Sequence, residues 1–364
     1  FLPFFHQQPP LTFGIQALFF KLFGNSIYCE RFYSFFTLCV SAFLIHRIWR
    51  KVYEEEKEVR QISWLPVLLW IIIPVCYWAY SNNVEENTMG IFTLFSTLCM
   101  YKGLLQKNAN SFFYLAAGSL LALMASLCKG FPGLFPVIIL FLHWLVFRSL
   151  SLKRMILFSF VTITTLLLAY ALLLSNTDAR TSLSAYLSDR VINSIKNVST
   201  EDDRFYLIKQ LLAELLVPFI VVALLSFYLK IKSVHVKAKT DDINRMLFFL
   251  LIGLSASVPL IVTLEQRRFY LVTSLPFYAI SFAILVAPAL AHMINRLQTN
   301  TTGFRIFRNI SIVVLLTGCC YSFSFTGKTS RNEDKLHDVY VIGKVIQPGK
   351  IIQVDPETWN DWGL

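Results

Sequence analysis

FLPFFHQQPPLTFGIQALFFKLFGNSIYCER, residues 1–31, decides how the rest of the chain is read. Polar His6, Gln7 and Gln8 lead into the rigid pair Pro9-Pro10. Leu11, Ile15, Leu18, Phe19, Leu22 and Phe23 then fall on one helical stripe, which Thr12, Gln16 and Lys21 interrupt. A helix over 11–24 is too short to cross a hydrocarbon layer about 30 Å thick, which needs about 20 apolar residues. An amphipathic segment of that length lies in the interface plane instead. The plainer alternative is a loop leading into a first span. The polar side chains and the Pro-Pro pair just outside an apolar domain favour the interfacial helix.

The composition sets the class. Hydrophobic residues make up 55% and charged residues 15% of the chain, with a mean hydropathy of +0.57. Soluble domains carry about a quarter charged residues, so the chain reads as an all-α multi-pass membrane protein. Its net charge of +11 does not signal nucleic acid, because the basic residues fall in short clusters between apolar runs. The seven cysteines sit mostly inside apolar runs without metal-ligand spacing and read as small core residues. The chain begins without Met and ends at Trp362-Gly363-Leu364, as a segment of a longer protein would.

About ten spans follow from the apolar runs: 27–52, 63–80, 88–105, 111–128, 133–147, 155–174, 205–229, 246–264, 269–291 and 310–324. The second is expected to kink at Pro74. The loops after spans one, three, five, seven and nine carry 5, 2, 3, 5 and 3 Lys or Arg residues, whereas the short turns on the other side carry none at 81–87, Lys129 alone at the next and Arg267 with Arg268 at the last. By the positive-inside rule, the N-terminal stretch, the turn 81–87, Lys129, the loop 175–204, Arg267 with Arg268, and the C-terminal tail share the non-cytoplasmic face. Within that long loop, Leu183, Tyr186, Leu187, Val191 and Ile195 keep helical spacing and predict a second interfacial helix.

The chemistry-bearing residues collect on the same face. Glu85 and Glu86 open a helix, where acidic side chains also suit the helix dipole; adjacent residues point about 100° apart, so one of them is expected to face inward. Lys129 interrupts a hydrophobic hairpin, either as a snorkelling side chain or as a binding group. Arg267 and Arg268 run against the charge trend and suit bidentate capture of phosphate, with anionic lipid headgroups as the plainer partner. Glu214 stands within a span near Pro218. Intramembrane carboxylates are functional candidates by default, although this one is near enough to the outer end to be solvated. In the tail, 339–346 and 350–354 read as β-rich runs joined across Gln347-Pro348-Gly349. They would begin a small soluble α/β domain.

In four segments the chain resembles the polyprenyl-phosphate-sugar-dependent glycosyltransferases of the GT-C class. They are HQQPPLTFGIQALFFKLFGNSIYCERFYS (6–34), NNVEENTMGIF (82–92), CKGFPGLFPV (128–137) and QRRFYLVTSLPFYAI (266–280). Its likeness is greatest to glycosyltransferase family 39, with the protein O-mannosyltransferases and aminoarabinose–lipid A transferases. The resemblance implies a GT-C-like transmembrane domain over 1–325 and a soluble periplasmic domain beginning at 326–364. It implies an enzyme of the inner membrane, with its active face periplasmic and a polyprenyl phosphate-linked sugar as donor; protein, lipid and glycan all remain open as acceptor.

By the same resemblance, Glu86 matches an acidic position with an acid/base or positioning role, and the main catalytic acid precedes Phe1. Lys129 and Arg267 match family positions and would bind the donor phosphate, with Arg268 and Tyr270 beside Arg267 as further candidates for that contact. Glu85, His6 and Gln8 would line the donor or acceptor pocket, Gln8 standing where some members carry a lysine. Some members use a divalent metal ion, but no metal-ligand set is visible in this sequence. The rival class is a transporter or flippase of lipid-linked glycans or small solutes, which would be expected to show paired broken helices in two related halves.

Overall fold

The computed structural model describes residues 8–24, 26–106, 108–192, 195, 200–201, 203–232, 239–297, 299–325, 333–346, 350 and 353. Among them every regular element is helical and there is no strand. Eight of these helices are long and apolar enough to cross a membrane, and a bent pair adds a ninth if counted as one span. The chain is therefore an all-α multi-pass membrane protein. It divides into two units, residues 1–296 and 297–364.

In the first unit, the opening stretch forms α1 (Leu11–Phe23), which the Phe20 carbonyl ends by accepting from the Gly24 N–H. Phe19 of α1 packs edge-on to Tyr33 of α2 (Ile27–Val52) at 5.2 Å between ring centroids. After α2 the chain doubles back through α3 (Lys57–Gln61), where Trp49 Nε1 donates to the Val59 carbonyl at 2.9 Å.

The expected kink at Pro74 is a full break. It separates α4 (Trp64–Ile71) from α5 (Pro74–Asn82) by 79°. Proline disfavours the helical conformation in the residue before it, and Ile73 is extended at φ −68°, ψ 122°.

The centre of the unit is α6 (Glu85–Leu105), with 72% of its most apolar stretch buried. It packs on α7 (Asn110–Lys129) through small residues that let backbones approach. A Cβ on Gly118 would lie 2.7 Å from Met100 Cγ, and Ser96 donates to the Gly118 carbonyl at 2.7 Å. By contrast α9 (Leu152–Leu174) has 11% of its stretch buried and shows Leu, Ile and Phe outward, as lipid contact requires.

The expected span 133–147 is not a full span. Pro132 and Pro136 lack the N–H groups a regular helix needs, so Phe131–Ile138 forms a 3₁₀ run that leads into the short α8 (Ile139–Phe147). The loop after α9 carries α10 (Thr177–Ala185), capped by Asn176, and then a π-helical turn, Tyr186–Ile192. Helices α11 (Tyr206–Ile231), α12 (Thr240–Ser257) and α13 (Leu275–Asn295) complete the unit. Two 3₁₀ turns, Val258–Val262 and Arg268–Thr273, separate α12 from α13, so the expected span 269–291 begins later than read.

The second unit contains α14 (Thr302–Phe323), with Thr301 as its N-cap, and α15 (Glu333–Val345). The latter corrects the expected strand 339–346. Asp334 near the start and Lys344 in the last turn match the helix dipole, and β-propensity yields readily to context. Most of the second expected strand, 350–354, lies outside the described residues.

Candidate functional site

Lys129 is the last residue of α7, and the chain reverses immediately after it. Gly130 takes φ +87°, a backbone region that favours glycine. A Cβ there would lie 2.1 Å from the Tyr186 hydroxyl oxygen. That close approach lets the Tyr186 hydroxyl donate to the Lys129 carbonyl at 3.4 Å, and so brings the π-helical turn over the end of α7.

The Lys129 ammonium meets both carboxylates that open α6. Nζ is 2.6 Å from Glu86 Oε1 and 3.2 Å from Glu85 Oε2. Sequence spacing suggested that one of the pair would face inward. Glu86 does so, with 1% of its side chain exposed, yet Glu85 reaches the same ammonium from a more open position. The other carboxylate oxygen of Glu86, Oε2, is buried without a hydrogen-bond partner. The ammonium also lies over two rings, 5.2 Å from the Phe269 centroid and 4.9 Å from that of Tyr270. Such faces attract a cation electrostatically.

A second ion pair faces the first. Arg190 Nη2 lies 2.7 Å from Glu265 Oε1. Tyr270 connects the two pairs, since its hydroxyl donates to Glu265 Oε1 at 3.3 Å while its ring supports Lys129. Burial raises the Tyr270 phenol above its ordinary value despite the opposing pull of Lys129, and burial raises Tyr186 to about 12. Both hydroxyls therefore stay protonated at neutral pH and remain donors.

Gln266, next to Glu265, is a buried hub. Its side chain accepts from the Leu207 N–H at 3.1 Å and donates to the Arg204 carbonyl at 2.9 Å, while its N–H donates to Thr200 Oγ1 at 2.8 Å.

These groups line a cavity of about 450 Å³, a size usual for small-ligand sites. Gln8, Glu86, Lys129, Arg190, Glu265 and Tyr270 are among its polar lining residues, and Met89, Phe135 and Leu260 among its apolar ones. A second cavity of about 360 Å³, lined by apolar side chains with Ser159 and Ser255, shares Phe135 and Ser255 with the first.

The structure brings together Gln8, Glu85, Glu86, Lys129 and Tyr270 of the residues expected from sequence, while His6 lies outside those described. It does not bring the two neighbouring arginines into the cavity lining. Arg267 is exposed, and Arg268 turns its Nε to Glu214 Oε1 at 3.5 Å. The arginine in the lining is Arg190, which sequence reading passed over. Its signal was its position on the predicted interfacial helix, on a turn with Tyr186. Glu265 was equally legible as an acid five residues before Tyr270, but nothing local assigns it a partner 75 residues away. Among the described residues no group of three or more His, Cys, Asp or Glu is arranged to hold a metal ion.

Comparison with known proteins agrees with this architecture. The family described as dolichyl-phosphate-mannose-protein mannosyltransferase matches residues 7–175, which include Gln8, Glu85, Glu86 and Lys129. The fold is similar to that of ArnT from Cupriavidus metallidurans bound to undecaprenyl phosphate. The TM-score is 0.57 at 14% identity, covering 93% of this chain and 59% of that one. Apo ArnT gives a TM-score of 0.56 at 14% identity, covering 93% and 58%. The chain thus spans less than two thirds of the ArnT chain, and at this identity the likeness is one of fold. No curated protein sequence matches the chain significantly. In its N-terminal half by sequence and across most of its length by fold, the chain resembles the GT-C glycosyltransferases of the protein mannosyltransferase and ArnT type.

Proposed function

We propose that the cavity is the donor site of an integral membrane glycosyltransferase. It moves a sugar from a polyprenyl phosphate to an acceptor on the periplasmic face of the inner membrane. The observation that carries this reading is the convergence of two cations, Lys129 and Arg190, with the buried carboxylate of Glu86 around a single cavity.

In the transfer, the bond between the sugar anomeric carbon and the phosphate oxygen breaks, and the lipid phosphate leaves with the electron pair. An acceptor hydroxyl or amine forms the new bond and gives up its proton. The departing phosphate gains a negative charge, so fixed cations beside it stabilise the transition state more than the ground state. Lys129, held in place by Glu85 and Glu86, and Arg190, held by Glu265, fit that task. Glu86 Oε2 is available to orient a sugar or acceptor hydroxyl or to accept a proton. The adjoining apolar cavity would take the first isoprene units of the carrier.

The mannosyltransferase match over 7–175 and the undecaprenyl phosphate in the similar ArnT structure support this donor class. Lysine and arginine counts in the loops support the assignment of faces. The test is binding of undecaprenyl phosphate to the full chain in nanodiscs, beside transfer from a polyprenyl-phosphate sugar. Lys129→Ala is expected to weaken both; undiminished binding in that variant would overturn the proposal.

A further inference from the structure

Glu214 is buried inside α11, with 4% of its side chain exposed, yet it lies outside the cavity lining. Its two oxygens reach two different elements. Oε2 accepts from the Val75 N–H at 2.8 Å, and Oε1 is 3.5 Å from Arg268 Nε. The first contact supplies an acceptor at the helix break, where the N–H groups that open α5 have no partner within the helix. The second falls on the 3₁₀ turn Arg268–Thr273. Phe269 of that turn stacks on Trp78 of α5 at 5.7 Å and 23°, and Phe269 and Tyr270 together face the Lys129 ammonium.

We infer that Glu214 is a positioning residue: by holding α5 and the Arg268–Thr273 turn in register, it sets where Phe269 and Tyr270 present themselves to Lys129. The relevance to ligand binding rests on the donor-site reading given above. The residue chemistry separates this role from packing. A neutral glutamine would satisfy Val75 and fill the same volume, so the contact that needs an ionised carboxylate is the one to Arg268. Arg268 is 42% exposed and the pair is long, so its own contribution to stability is small. Its consequence is geometric, and a small displacement of a group that aligns a reacting centre has a large effect on rate.

The test compares Glu214→Gln and Glu214→Ala in the full chain in nanodiscs, with undecaprenyl phosphate as the probe. Hydrogen exchange across 268–273 is followed without lipid. Glu214→Gln keeps the Val75 contact and is expected to melt near the parent protein. It is nevertheless expected to bind the lipid about tenfold more weakly, within the usual coupling range of contacting residues, and to exchange faster at 268–273. Glu214→Ala should lower the melting temperature in addition. Tyr270→Phe in the Glu214→Gln background should add less than it does alone.

Parent-like affinity and exchange in Glu214→Gln would overturn the inference. So would an affinity loss that simply tracks the melting temperature. A parent protein that binds no undecaprenyl phosphate, with exchange still raised in Glu214→Gln, would sink the donor reading and support the link from Glu214 to the turn.

Discussion

Lys129 Nζ lies 2.6 Å from Glu86 Oε1, joining the end of one membrane helix to the start of another across 43 residues. Helix termini are where unpaired backbone groups and charged side chains are tolerated. The pair therefore joins two helix ends at the wall of the cavity.

Removing Lys129 leaves a buried carboxylate without its cation, which typically costs about 3–5 kcal/mol. Lys129→Ala should therefore lower the melting temperature as well as lipid binding. Adding Glu86→Gln should recover much of the stability and none of the affinity for undecaprenyl phosphate. Recovery of affinity in the double variant would remove Lys129 from the donor site.

Arg190 and Arg267 separate two readings of the basic residues. Arg190 lines the cavity, while Arg267 is exposed outside its lining. Arg190→Gln is expected to cut undecaprenyl phosphate affinity by about tenfold or more, as loss of a hydrogen bond to a charged group costs about 1.5–3 kcal/mol. Arg267→Gln should leave affinity within about twofold of the parent, as exposed charges contribute little. Titration of both variants decides the matter, and the opposite ranking would return the phosphate contact to Arg267.

Gly130→Ala should be destabilising for two separable reasons. The backbone at φ +87° disfavours any side chain, by about 1–3 kcal/mol. In addition, the new methyl would meet the Tyr186 hydroxyl. Tyr186→Phe in the same chain eases the second cause, leaving the ring edge 3.0 Å from the new methyl, but not the first. The double variant is expected to regain part, but not all, of the lost melting temperature.

In the turn between α2 and α3, Glu56 binds Arg245 at 2.6 Å and Lys239 at 3.0 Å. Burial would raise its carboxyl, but the hydrogen bonds from Arg245 and Lys239 outweigh it and hold the group below its ordinary value. A lowered carboxyl stabilises the fold above its unfolded value, and this contribution is lost as pH falls through the folded value. Stability should thus decline in the acidic range below the ordinary carboxylate value, by about 1 kcal/mol or less given partial exposure. Glu56→Gln should flatten that part of the melting-temperature profile against pH. An unchanged profile would mean that the pair adds nothing to stability.

What sequence alone determined about this protein was its class, its approximate spans and the helix ends that bear chemistry. Apolar runs of membrane length must be helical because no water can satisfy an open backbone; Lys129 was conspicuous as a charge in an apolar hairpin, and Glu85 and Glu86 as a carboxylate pair at a helix start. Tertiary structure decided which charges meet. Arg190 and Glu265 pair across a separation on which no local periodicity bears, Arg268 turns to Glu214, and two prolines reduce an expected span to a 3₁₀ run and a short helix. Side-chain pairing depends on how helices rotate and bend against one another, which a one-dimensional pattern of hydropathy does not encode.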